Sequence, residues 1–317
     1  LSGGSGWPQD SWSQSAVPPP PGKRQPVDAY TAREQDWRNG AIVYQVLVDR
    51  FAPSADLARK QHLYAPPKTL RRWDEVPTAG HFVEQAQVWS HEIDFWGGDL
   101  NSLRSRLDHV QRLGATVLYL NPIHLGYTNH KYDSLDFKAV SPEFGTREDV
   151  RALARDLHQR GMKLVLDGVF NHMGRQAPRF VRAQRYPDSE AGRWFVVGPQ
   201  HKGGARTWKD VQNLPELNLE HRPVREHLWL AKDSVVRGYL RDGVDGWRLD
   251  TAYELGPAYL AELTQAAHAE KRGSLVVGEI VNHPSGWMPA MDAVMNFHWR
   301  TLLLKLVAEI GRASCRE

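Results

Sequence analysis

A parallel α/β fold, either a TIM barrel or a doubly wound sheet, is the class this sequence predicts, and three observations predict it. Apolar, β-branched runs alternate with helical patterns along most of the 317 residues, an order that joins parallel strands by right-handed crossovers. The two longest gaps, 52–98 and 172–222, both follow strand patterns, at the ends where barrels and open sheets alike build their sites. The hydrophobic share of 41% is enough to fill one large core.

Residues 1–28 are rich in Gly, Ser and Pro, with a run of prolines at 18–21, and read as a linker. The first strand pattern is AIVYQVLVDRF (41–51), followed after the gap by an amphipathic helix, NSLRSRLDHVQRLG (101–114). TVLYLNPI (116–123) is the second strand, REDVRALARDLHQRG (147–161) the next helix and KLVLDGVF (163–170) the third strand. Residues 172–222 are too long for an ordinary loop and are expected to form an inserted subdomain. One helix is then expected over 223–243, strands at GWRLD (246–250), SLVVGEI (274–280) and AVMNF (293–297), a helix over 257–272 and a last one from 298. The barrel segments are thus 29–171 and 223–309. The closing EIGRASCRE resembles a translated sequencing adapter, so residues 310–317 are expected to be non-native.

Bulk properties exclude several classes. Forty Lys and Arg against 37 Asp and Glu leave a formal charge of +3, without the basic stripe of a nucleic-acid binder. No apolar run approaches the 18 residues of a membrane span. The single Cys315 excludes an internal disulfide and a cysteine metal cluster. No glycine-rich phosphate loop follows any strand.

The chemistry gathers in DGWRLDTAYE (245–254). Side chains alternate along a strand, so Arg248 and Asp250 share one face while Trp247 and Leu249 take the other. Other polar residues at strand ends are Asp49, Asp167 with Asn171 and His172, and Glu279. If the strands share one barrel, these ends converge on one mouth. Two carboxylates facing across a mouth suit glycoside hydrolysis. Arg248 is expected to hold Asp250 ionised, and an apolar setting to keep a proton on Glu279. The competing reading of Arg248 and Asp250 is an ion pair that only stabilises the sheet.

DGVFNH (167–172), GWRLDTAYE (246–254) and GEI (278–280) resemble, in order, the first three signature regions of the α-amylase family of glycoside hydrolases. WGGDLNSLRSRLDHVQRLGATVLYLNPI and NHKYDSLDFKAVSPEFGT are similar to the family's first helix, second strand and following loop. The resemblance, over about 38–300, implies a TIM (β/α)8 barrel, incomplete here at about six strands, with the insertion after strand 3. It implies a retaining mechanism in which Asp250 matches the nucleophile and Glu279 the general acid/base. Arg248 matches the arginine that steadies the nucleophile, and His172 and Asp167 match residues at the cleaved sugar. Tyr132 matches the tyrosine that stacks on that sugar, and Asp133 a structural acid. Of the 12 Trp, several lie in the insertions, Trp194 and Trp208 among them, and most are expected to be packing.

LPELN (214–218) resembles the signature of neopullulanase, cyclomaltodextrinase and maltogenic amylase relatives, which implies cyclodextrins, pullulan or short maltodextrins as substrates. No cofactor is required. Calcium is the one ion left open, with Asn171 the candidate ligand, but Glu216 and Asn218 replace aspartates of the amylase pattern. The family's fourth signature, an Asn-His-Asp segment bearing the third carboxylate, is absent, so this chain by itself is expected to be inactive or barely active. Alternatives are a transglycosylase or isomerase of the same family, and a non-catalytic binding or transporter-accessory relative. The linker-like start favours an extracytoplasmic location, with the cytoplasm as the alternative.

Overall fold

The computed structural model describes residues 27–313. Contacts divide the chain into two compact units, Leu1–Gly40 and Ala41–Glu317. In the first, helix α1 (Val27–Gln35) opens inside the stretch expected as linker; residues 1–26 lie outside the described residues.

The second unit is built on β1 (Val43–Val46), β2 (Val117–Leu120), β3 (Lys163–Gly168), β4 (Gly246–Leu249), β5 (Leu275–Ile280) and β6 (Ala293–Asn296). They form one parallel sheet whose spatial order is the chain order. That order separates the two predicted classes. A doubly wound sheet reverses at a switch point, whereas a barrel adds each strand on the same side of the last. The sheet is a six-strand portion of a TIM barrel, and β1 and β6 are not paired with each other among the described residues.

The crossovers show why the helices form. Asp99 caps α2 (Leu100–Arg104) by accepting from the Ser102 N–H at 2.7 Å. The helix expected over 101–114 breaks after it, where the Ser105 hydroxyl donates to the Ser102 carbonyl, and resumes as α3 (Leu107–Arg112). In α4 (Arg147–Gln159), Thr146 and Asp149 make a reciprocal cap, and Val150, Leu153, Ala154 and Leu157 form the buried stripe. The single helix expected over 223–243 is also interrupted. A π turn at Glu226–Leu230 ends where the Ala231 N–H reaches back to the Glu226 carbonyl, and α5 (Val235–Arg241) starts after Ser234. Within that turn Trp229 is fully buried, its Nε1–H donating to Glu262 at 2.8 Å. After β4 comes α6 (Pro257–Glu270), and after β6 comes α7 (Phe297–Ala313). The latter runs past 309 into the segment expected to be non-native; residues 314–317, with Cys315, lie outside the described residues.

The gaps hold structure the sequence reading did not anticipate. An antiparallel hairpin, His124–Gly126 with Ser134–Val140, follows β2, and register shifts within it break the two-residue period that would have revealed it. A second hairpin, Phe82–Val83 with Val88–Trp89, sits in the first gap on a satellite core that includes Tyr64, Ala86, Val88 and Phe95. In the insertion after β3, LPELN folds back onto the end of that strand. The Met173 N–H donates to the Pro215 carbonyl and the Leu217 N–H to that of Asn171.

Candidate active site

Alternation along β4 sorts its residues as the sequence predicts. Trp247 packs outward against Phe170 and Tyr239, while Arg248 faces the other way, among carboxylates. In the register of the sheet Arg248 stands opposite Asp167 on β3. Its Nη1 donates to both Asp167 oxygens, at 3.0 and 3.1 Å, and to Asp250 Oδ1 at 2.8 Å. Its Nη2 donates to Glu279 Oε2 at 2.8 Å, and its Nε faces the Met295 sulfur at 3.2 Å. One guanidinium therefore collects three carboxylates from three adjacent strands.

Asp167 is buried, and burial pushes its carboxyl up against the opposing pull of Arg248. Both Tyr119 and Tyr132 donate their hydroxyls to its Oδ2. Tyr119 was not anticipated; its only trace in the sequence is a phenol inside an apolar strand. Tyr132 also accepts from the Asn121 amide at 3.1 Å. His172 is 1% exposed. Its Nε2 lies 3.1 Å from the Tyr132 carbonyl and its Nδ1 3.3 Å from the Asn171 amide nitrogen, so both ring nitrogens are bonded to protein. Burial presses its pKa down to about 4, and the ring is neutral.

The surroundings of the two acids differ from the sequence-based expectation. The local sequence pattern predicts a low Asp250 because of Arg248. Burial first, then the Asp167 carboxylate, outweighs the guanidinium and pushes Asp250 up to about 7. Glu279 was expected in an apolar setting; instead its Oε2 is held by Arg248 and by the Thr251 N–H at 3.0 Å. Thr251 delivers that N–H from a left-handed conformation, φ 41°, unusual for a β-branched residue. Among the described residues, Asp250 Oδ2 and Glu279 Oε1 have no hydrogen-bond partner, so each acid has one oxygen anchored and one available.

These groups line a cleft of about 820 Å³, together with Tyr132, His172, Trp208 and the aromatic hairpin of the first gap. Trp208 lies beside His172, their ring centroids 5.9 Å apart, whereas Trp194 is buried under Arg179 as packing. Asp49 does not join the cluster. Its buried carboxylate accepts from the backbone N–H groups of Trp96 and Gly97, the role of a loop cap. Asp133 likewise accepts from the Thr128 hydroxyl and N–H, inside the loop that carries Tyr132.

The side chains at the candidate calcium position are engaged with protein partners. Glu216 is paired with the Arg206 guanidinium, the Asn171 amide is turned to His172, and no three Asp, Glu, His or Cys side chains converge as a metal shell among the described residues.

The α-amylase catalytic domain matches residues 45–313. The chain belongs to the α-amylase family. Neopullulanase 2 of Thermoactinomyces vulgaris is 33% identical over 86% of this chain and 44% of its own length. The intracellular maltogenic amylase of Bacillus subtilis is 29% identical over 89% of this chain and 45% of its own. Among solved structures, a cyclic α-maltosyl-(1→6)-maltose hydrolase from Arthrobacter globiformis superposes with a TM-score of 0.72 at 31% identity, covering 85% of this chain and 57% of that one. The chain spans about half the length of the curated α-amylase relatives it matches. No helix among the described residues is long and apolar enough to cross a membrane.

Proposed function

We propose that the protein carrying this domain is a retaining α-glucan hydrolase acting on cyclodextrins, pullulan or short maltodextrins. The observation that carries the reading is the gathering of Asp167, Asp250 and Glu279 on Arg248, with Arg248, Asp250 and Glu279 lining one cleft. Asp250, with Oδ1 anchored, attacks the anomeric carbon through its second oxygen, while Glu279 gives a proton to the glycosidic oxygen of the leaving sugar. The glycosyl ester on Asp250 is then broken by water, which yields its proton to Glu279, and the product keeps the substrate's anomeric configuration.

Three carboxylates around one cation leave an excess of negative charge, which favours retention of one proton in the cluster. Asp167 acts through Arg248 and Tyr132 as a positioning group, and neutral His172 fixes the backbone that carries Tyr132. Both acids are present, which favours catalysis over a binding-only or transporter-accessory role. Whether water or a sugar hydroxyl takes the glycosyl group is read from product analysis with maltotriose. The intracellular name of the Bacillus subtilis relative favours the cytoplasm.

The deciding experiment is release of reducing sugar from β-cyclodextrin, pullulan and maltotriose by the longer protein that carries this domain, beside its Asp250→Asn variant. Activity abolished by the substitution supports the reading. Activity that survives it at the parent level overturns the assignment of the nucleophile.

A further inference from the structure

We propose that Phe82 and Trp89 form an aromatic platform that holds glucosyl units of the substrate remote from the scissile bond, and so set a preference for longer glucans. The inference rests on the α-glucan reading of the cleft. The two residues face each other across the hairpin of the first gap, with ring centroids 6.0 Å apart and planes at 76°. They are 42% and 48% exposed, and both line the same cleft as Asp250 and Glu279.

Their exposure does not come from a loose loop. Val88 and Ala86 of the same hairpin are buried in the satellite core, so one side of the hairpin is anchored and the other presents its rings. Glu92 ties the hairpin to the catalytic floor. Its Oε2 accepts from the Trp89 N–H at 2.6 Å and its Oε1 lies 3.1 Å from His130 Nε2. His130 Nδ1 in turn accepts from the Tyr132 N–H at 3.1 Å. A surface that holds two large rings in water beside a polar cleft marks a binding site. The ligand chemistry that fits it is the C–H face of a pyranose, apolar over its centre and hydroxylated at its rim, continuous with the sugar bound at the carboxylates.

The test is calorimetric binding of maltoheptaose and maltose to the 317-residue chain carrying Asp250→Asn, with and without Phe82→Ala and Trp89→Ala. The expected result is a maltoheptaose Kd raised about tenfold, as for the loss of about 1.4 kcal/mol of contact, with the maltose Kd changed by less than about threefold. Should the double variant melt early, Trp89→Ala alone is read the same way. An unchanged maltoheptaose Kd overturns the platform, and equal losses for both sugars overturn its remoteness from the scissile bond. Failure of the Asp250→Asn parent to bind either sugar overturns the α-glucan reading itself.

Discussion

Arg248 and Asp167 stand opposite one another on adjacent parallel strands, and a single nitrogen, Nη1, reaches both oxygens of that carboxylate as well as Asp250. Arg248→Ala strands three carboxylates around an empty position. Breaking a buried pair in this way is expected to destabilise the fold by about 3–5 kcal/mol, read by urea unfolding. Arg248→Lys is expected to recover only part of this, because an ammonium lacks the planar fork that serves Asp250 and Glu279 at once. Equal stability of all three proteins would show that the cluster is held by something else.

Asp250→Asn and Glu279→Gln are expected to differ by leaving group. In the longer protein that carries this domain, both lose roughly 10³-fold or more in kcat on natural glucans. On an aryl glycoside whose leaving group needs no proton, Glu279→Gln retains most of the first step and Asp250→Asn does not. A parallel loss on both substrates would argue against the assigned division of labour.

Two groups give the stability opposite pH dependence. His124 is fully buried, stacked on Trp247, with neither ring nitrogen bonded among the described residues, and burial presses its pKa to about 4. The unfolded imidazole takes up its proton near pH 6.5 and the folded one does not, so stability is lost as pH falls from about 6.5 towards 4. Asp250, raised to about 7, works the other way: it favours the fold below its unfolded pKa and loses that contribution as pH rises to about 7. Urea midpoints at pH 7 and 5 are expected to move towards the acid-stable side in His124→Phe, which removes the first effect, and Asp250→Asn is expected to raise the midpoint at pH 7.

Chelation is expected to leave the melting temperature unchanged, since Arg206 already supplies the positive charge at Glu216. Arg206→Ala removes it and leaves a carboxylate beside Asn171. A melting temperature that falls with EDTA in the parent chain would show a calcium site that these side chains do not account for.

The open sheet sets the behaviour of the chain as it stands. Ile42 and Val43 are exposed at one edge, and Leu302, Leu303, Leu306 and Val307 are exposed on α7 at the other. Concentration-dependent self-association is expected in sedimentation velocity, with glucan hydrolysis absent or barely detectable. A monodisperse, fully active chain would contradict both expectations.

Legible in the residues alone were the strand and helix alternation, the pairing of Arg248 with Asp250 on one face of a strand, and the list of Asp167, His172, Asp250 and Glu279 as residues of one site. Those follow from short-range periodicity and from motifs whose residues lie close in the chain. The direction in which Asp250 is pushed depends on the three-dimensional arrangement. Asp167 and Asp250 lie 83 positions apart, yet across the strands their carboxylates meet at one guanidinium, and burial there reverses the shift that the local pattern predicts. The same distance in sequence hid Tyr119, Thr251 and the hairpin of Phe82 and Trp89, whose roles come from what the fold sets beside them. Asp49 shows the converse: at a strand end it looks like a member of the cluster, and long-range backbone contacts make it a cap.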